Sequence, residues 1–371
     1  MNPSLLSIIV CPETLVPLEL VVFEREERKT PNSVYEDIIS GILKSSTGFY
    51  YPIIDGVPRL LDGAMNFYKK EMSQHEKKLK DLNIWDECLK SPSDEFKKLF
   101  EPTLLRFNKE WKEHDIDDKT WGWDQDERLK IYKKYMGLED LSYNGKLFLD
   151  LGAGTGQLTC TVSKNLDCEI IGLDLTPSVL KSEKRKVELA GDNAYKCHFI
   201  QANLMKPPFR NETFDFIHAS GVLHHTPSTK SAFDKIVPLV KHKGRLGVWL
   251  YRPSETLLPL FPFLNKYFVF KESEIRKIST KLNPTLLYLL IKLYVSYFQF
   301  FYKLNELIRK KPHLQTIKAR TTSLFDALAP TYAFKQYPEN VKQWYIDSDF
   351  SDILETDQEN KSGFNICGSK N

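Results

Sequence analysis

The sequence predicts an α/β fold. A mostly parallel sheet has helices between its strands, a small β module in front of it and a helical cap inserted after its fifth strand. Three observations carry this. The segments "KLFLDLGAG", "CEIIGLDLT", "YKCHFIQAN", "TFDFIHAS" and "GRLGVWLY" are strand-like and lie between Gly145 and Tyr251, with helix-like stretches between several of them. That is the rhythm of an alternating sheet. A glycine-rich turn closes the first of these strands, and a long apolar-aromatic stretch, Leu286 to Lys311, breaks the rhythm after the last.

Bulk properties bound the function. The 371 residues are 42% hydrophobic, enough for a sizeable core, and the 27% charged content is that of a folded chain. A net charge of +3 is small for this length and gives no sign of wholesale nucleic-acid binding. Six cysteines (Cys11, Cys88, Cys160, Cys168, Cys197 and Cys367) include no pair at zinc-knuckle spacing. Pro3 and Cys11 stand where a signal peptide would have its basic start and apolar run, so the expectation is a reducing, cytoplasmic setting.

Taken in order, residues 1–62 read as short strands and turns. Leu15 to Phe23 is partly β-branched, and "STGFYYPIIDGVPRLL" has a turn at Asp55-Gly56. The charged "EREERKTPN" between them reads as exposed. Residues 63–144 are polar and helical in pattern, ending in a helix that stops at Gly137. Residues 145–255 form the sheet core, 256–320 the cap, and 321–371 a substrate-side segment that completes the core with a helix and then a strand.

The chemistry concentrates in four blocks. In "LFLDLGAGTGQLT" a buried strand ends at Asp150, and Gly152, Gly154 and Gly156 permit a tight turn with close backbone approach to a ligand. The G-x-G-x-G spacing differs from the dinucleotide G-x-G-x-x-G. It suits a ligand with an amino-acid tail, whose ammonium meets a carboxylate network near Asp150 and whose carboxylate meets backbone N–H groups. Asp174 ends the next strand, at the reach of a carboxylate that binds a ribose diol through its two oxygens. A helix-capping role is its alternative. "FIQANLMKPPF" brings Asn203 and Leu204 to the same sheet edge; the Asn203 carbonyl is suited to an adenine amino group, its amide to a ring nitrogen or to fixing the loop. "FDFIHASGVLHHT" carries Ser220, His224 and His225 in its exit loop.

These four blocks, in this order, resemble a class I S-adenosylmethionine-dependent methyltransferase, a Rossmann-like fold, over roughly Gly145 to Tyr251. The "VLHH" of the fourth block is similar to the small-molecule subset. The resemblance implies S-adenosyl-L-methionine as cofactor, held by Asp150, Gly152, Ala153, Gly154, Gly156, Asp174, Leu175, Asn203, Leu204 and Ser220. Asn203 replaces an aspartate common in the family. A sulfonium methyl is already activated, so the protein need only place a nucleophile in line, with a base where the nucleophile carries a proton. His224 and His225 are candidates for that base, for cofactor contact, or for loop packing. "SLFDALAPTYAFKQYPENVKQWYIDSDF" resembles the D-x-x-x-P-x-Y segment of the same subset and makes Asp326, Tyr332 and Gln336 substrate-side candidates. "WGWDQDERL" resembles an aromatic-Gly-aromatic stretch before this domain; Trp121 and Trp123 either close over the site or pack in the core.

The implied acceptor is small or glycan-like, lipid-linked acceptors included. A protein or tRNA acceptor is the alternative within the class, and a non-catalytic scaffold the alternative outside it. No metal site is expected. "LLSIIVCPETLVPLEL" with "GFYYPIIDGVPRLL" resembles a zinc-ribbon-like activator module of translation-related methyltransferases, but Thr14 and "KSSTG" stand where cysteines would be. One thiolate cannot hold structural zinc. The cap, Thr256 to Arg320, has twelve Lys and Arg against three acids. Within it Leu286 to Leu304 has the length of a membrane span but carries Lys292 and Lys303. A roof over the site, a peripheral membrane contact and a span are the three readings; oligomeric state stays open.

Overall fold

The structure is a computed structural model that describes residues 1–114, 123–138, 143–253, 257–259, 269–308, 316–357 and 362–371. Its core is one sheet of eleven strands, order β1-β2-β3-β4-β7-β6-β5-β8-β9-β13-β12. The strands are β1 (Leu18–Lys29), β2 (Val34–Ser45), β3 (Tyr50–Ile54), β4 (Val57–Leu60), β5 (Leu147–Leu151), β6 (Glu169–Asp174), β7 (Cys197–Ala202), β8 (Phe214–Ser220), β9 (Val240–Tyr251), β12 (Phe350–Glu355) and β13 (Gly363–Lys370); β10 (Leu257–Pro259) and β11 (Val269–Lys271) form a separate ribbon. The main helices are α1 (Glu101–Lys112), α2 (Gln125–Met136), α3 (Gln157–Leu166), α4 (Leu180–Ala190), α5 (Thr229–Ile236), α6 (Glu272–Ser279), α7 (Pro284–Ile308), α8 (Ile317–Leu328) and α9 (Pro338–Asp347).

The central strands β7, β6, β5, β8 and β9 are parallel. They are buried on both faces, which is why they read as nearly unbroken apolar runs. Phe148 and Ile170 meet α2, α3 and α4 on one face, while Leu149 and Ile171 meet α5 and α9 on the other. The helix α2 starts in a capping box, Asp124 with Glu127, and stops at Gly137 with φ 59°.

The N-terminal strands are continuous with this sheet. β4 lies parallel to β7, with Arg59 opposite Gln201 and Leu60 opposite Ala202. The charged stretch after Phe23 is exposed for the most part, as the sequence suggested, and forms the second half of β1. Cross-strand pairing keeps it extended: Arg25 meets Glu36 at 2.5 Å, and Arg28 meets Asp37 at 3.0 Å. Asp37 is fully buried and also pairs with Lys186 of α4 at 2.7 Å, tying the hairpin to the core. Cys11 is buried, with Sγ 3.4 Å from the Tyr51 hydroxyl. Thr14 and Thr47 share a 3.0 Å hydroxyl hydrogen bond, and Thr47 shares another with Ser45 at 2.8 Å. Hydroxyls therefore bridge the two turns at the positions of the missing cysteines. Among the described residues no group of three His, Cys, Asp or Glu is arranged to hold a metal ion.

After β9 the chain builds a helical layer. Leu287, Ile291 and Val295 of α7 pack on Phe325 and Leu328 of α8. Arg276 of α6 donates to the carbonyls of Ala327 and Pro330, at 2.6 and 2.7 Å, and closes the bundle. The chain then returns through α9 to two strands where one was expected, β12 and β13, with β13 antiparallel to β9.

Candidate active site

The strand order reverses at β5. Chain from β5 moves outward to β6 and β7 on one side, then back to β8 and β9 on the other. Such a switch point opens a crevice at the carboxyl ends of the strands. A cavity of about 360 Å³ lies there, lined by the ends of β5 to β9 and roofed by α1, α2 and Asp326 of α8. Its size is in the range of small-molecule sites.

The glycine turn forms the floor. Gly152, Gly154 and Gly156 have φ of 70°, 58° and 80°. A Cβ on Gly152 would lie 2.1 Å from Val222. The turn spends its N–H groups internally. Gly152 and Ala153 donate to the Leu173 carbonyl, Gly154 to Asp174 and Gly156 to Ala153. These four N–H groups are therefore taken, and the expected contact with a ligand carboxylate falls to others, such as those that open α3. The cationic side chain on the wall is Arg128 of α2. Burial pulls its pKa down, and the nearby Asp150 offsets part of that. Asp150 is oriented by Thr159, which donates at 2.7 Å, and by His218 Nδ1 at 3.3 Å.

Asp174 faces the cavity from the end of β6. Its Oδ1 accepts from the Thr176 backbone and hydroxyl, both at 2.8 Å, and its Oδ2 from Gly154 N–H at 2.8 Å. A carboxylate has about four acceptor sites, so one position on Oδ2 is left for a ligand hydroxyl rather than two oxygens for a diol. Burial pushes its pKa up to about 6 despite those hydrogen bonds. The Asn203 carbonyl accepts from Met205 N–H at 3.0 Å, which spends it on the loop and leaves the amide for a ring nitrogen. Ala153, Leu175, Leu204 and Ser220 line the cavity. Trp123 lines it too, while Trp121 lies outside the described residues.

The two neighbouring histidines separate sharply. His225 lines the cavity. Its Nδ1–H donates to the Tyr332 carbonyl at 2.8 Å, which fixes the tautomer and leaves Nε2 as the acceptor, 4.0 Å from Asp326 Oδ1. Burial lowers its pKa, with Asp326 opposing, so it is neutral near pH 7. His224 is fully buried off the cavity wall, its ring 3.9 Å from that of Tyr251, and neither ring nitrogen has a hydrogen-bond partner among the described residues. Its pKa is driven well down by burial. His224 is a packing residue, which corrects its candidacy as a base. Tyr332 reaches the site only through its carbonyl, since its ring stacks on Phe334 away from the cavity. Gln336 holds the Tyr251 carbonyl through its backbone N–H at 2.9 Å.

Asp326 accepts from the Tyr251 hydroxyl at 2.6 Å. Beside it stands Glu110 of α1, 1% exposed, with no hydrogen-bond partner for Oε1 among the described residues. Burial, with Asp326 and Asp174 adding, pushes its carboxyl well above the usual carboxylate range. Sequence reasoning missed Glu110, Arg128, His218 and Tyr251. For His218 a signal existed: it is a polar residue within an apolar strand, and it proves to be the register partner of Asp150. For Glu110, Thr103 and Phe107 at helical spacing mark the same inward face.

Comparison with known proteins gives the following. Residues 149–248 match a family model described as a methyltransferase domain. The demethylmenaquinone methyltransferase of Lactococcus lactis is 30% identical over 173 residues, 43% of this chain and 61% of that protein. Phosphoethanolamine N-methyltransferase 2 of Caenorhabditis elegans is 25% identical over 126 residues, 34% of this chain and 28% of that protein. Among solved structures, phosphoethanolamine N-methyltransferase 2 of Haemonchus contortus in complex with S-adenosyl-L-methionine is similar at 15% identity and a TM-score of 0.39, over 75% of this chain and 59% of that one. The chain spans less than two thirds of the length of these curated relatives.

Proposed function

We propose that this chain, whose residues 149–248 match a methyltransferase-domain family model, uses S-adenosyl-L-methionine to methylate a small acceptor that carries a removable proton. Within that class we favour a glycan-like acceptor, lipid-linked ones included, because aromatic side chains such as Phe107, Trp111 and Tyr251 line the cavity and offer flat faces to a ring. The observation that carries the reading is a division of the cavity. On one side of β5 lie Gly152, Ala153 and Asp174, and on the other His225 with Asp326.

The residues present fit the cofactor. Arg128 would hold its carboxylate, Asp150 its ammonium, the free position on Asp174 a ribose hydroxyl and the Asn203 amide a ring nitrogen. When bound, S-adenosyl-L-methionine supplies an electrophilic methyl group. The protein supplies the rest. Neutral His225 takes the acceptor's proton at Nε2, the Tyr332 carbonyl keeps the ring in place, and Asp326 stabilises the imidazolium formed. Tyr251 aims Asp326 by donating to it, and Glu110, its carboxyl pushed well above the usual carboxylate range by burial, adds a second polar group at that end of the cavity. Residues 1–62 are read as a metal-free, ribbon-like accessory fused to the sheet edge.

Calorimetry with S-adenosylhomocysteine tests the cofactor site; no measurable binding would refute it and favour a scaffold. Methyl transfer from labelled cofactor, screened over nucleotide sugars and lipid-linked glycans, then identifies the acceptor. Full transfer by His225→Ala would remove the base assignment.

A further inference from the structure

Helix α7 is apolar on two opposite faces. Leu287, Ile291 and Val295 are buried against α8. On the far side Leu286, Leu289, Leu293, Tyr297, Phe300 and Leu304 are 45% to 74% exposed. Their spacing of three and four residues makes one continuous stripe along a helix of 25 residues, about 37 Å at 1.5 Å per residue. A helix apolar all round is ordinarily buried or in contact with lipid. Lys292 and Lys303 are exposed and lie about a quarter-turn from the middle of the stripe, on the same edge.

The charge of the region says what covers the stripe. Residues 256–320 carry twelve Lys and Arg against three acids, a net +9, while the whole chain is +3, so everything else sums to −6. A second copy seated face to face would bring two such regions together, and like charges oppose that. An anionic lipid surface satisfies both the apolar stripe and the net positive charge of this part of the chain. A placement across the bilayer would draw the protein packed against this helix into the hydrocarbon. Of its most apolar window, Pro284–Phe301, 28% is buried inside the protein, and the bundle it packs on carries Asp326 to the cavity and anchors Arg106 to the carbonyls of Thr280 and Leu282.

We propose that α7 lies in the plane of an anionic membrane, its exposed stripe set into the headgroup–acyl boundary and Lys292 and Lys303, on its edge, at the headgroups. The cavity roof is then held at the membrane surface. The proposal does not depend on the methyltransferase reading, because its readout is binding.

The test is flotation of the full chain with phosphatidylcholine vesicles, with and without phosphatidylglycerol. The expected result is binding to the anionic vesicles at low salt, weakening as salt rises. Leu293→Glu with Phe300→Glu should cut the bound fraction about tenfold or more, since two large side chains leave the interface and gain charge. Leu293→Ser with Phe300→Ser, checked for native circular dichroism, should weaken binding in the same direction. Absence of flotation by the unmodified chain would overturn the proposal. So would flotation unchanged in both double variants, or light scattering that shows a dimer which those variants dissociate.

Discussion

Gly152 and Gly145 offer a controlled experiment on the ligand-facing turn. Both have left-handed backbone, φ 70° and 73°. They differ in surroundings: a Cβ on Gly145 would meet nothing within 4 Å, while one on Gly152 would lie 2.1 Å from Val222 Cγ2. Gly145→Ala therefore pays only the left-handed penalty, about 1–2 kcal/mol. Gly152→Ala pays that and must also displace Val222 by more than an ångström to restore a normal carbon–carbon contact of about 3.5–4.0 Å. Overpacking of this kind costs about 1–3 kcal/mol, so the total is about 2–5 kcal/mol. Urea denaturation of the four proteins in a Gly152→Ala, Val222→Ala cycle, with Gly145→Ala alongside, measures the parts. The coupling energy should return about 1–3 kcal/mol and leave the backbone part in place. Equal losses for the two glycines, or zero coupling, would refute the placement of Val222 over the turn.

Four further outcomes follow. Asp174, held up at about pKa 6, accepts a ligand hydroxyl most strongly when ionised. S-adenosylhomocysteine affinity should therefore fall as pH drops below about 6, by up to about tenfold per pH unit, and Asp174→Asn should abolish that dependence in calorimetry. In the unliganded protein the sign is opposite: a carboxyl raised above its unfolded value loses stability for the fold as pH rises from about 4 to about 6. His225→Phe should reduce turnover about 10²–10⁴-fold, whereas His224→Phe, which removes no polar contact, should leave most of it; equal loss in both would contradict the assignment. Thr14→Val should cost about 0.5–1 kcal/mol through the lost Thr47 bond, and chelation should leave the melting temperature unchanged; stoichiometric zinc in the purified chain would contradict a metal-free module.

The sequence carries the parts of this site that are local. Three glycines two apart after an apolar strand specify left-handed backbone, and Gly152, Gly154 and Gly156 adopt it. Acids at the ends of strands specify a sheet edge, and Asp150 and Asp174 lie on the cavity wall. The strand rhythm from Leu147 to Tyr251 specifies a parallel sheet, because only strands buried on both faces read as unbroken apolar runs. Each is a property of a few adjacent residues, set by dihedral preference and periodicity.

What needed the tertiary structure is everything fixed by partners distant in the chain. His224 and His225 are chemically identical neighbours, and only the packing of Tyr251 against one and the Tyr332 carbonyl against the other tells them apart. Glu110 and Arg128 are ordinary helix residues until α1 and α2 fold over the strand ends and strip their water. The N-terminal strands read as a separate module until β4 pairs with β7, 142 positions away from Arg59 to Gln201. The reason is physical. Local sequence sets which backbone shapes a segment can hold, whereas burial, charge and hydrogen-bond supply at a side chain depend on which remote segments close around it, and those quantities decide its chemistry.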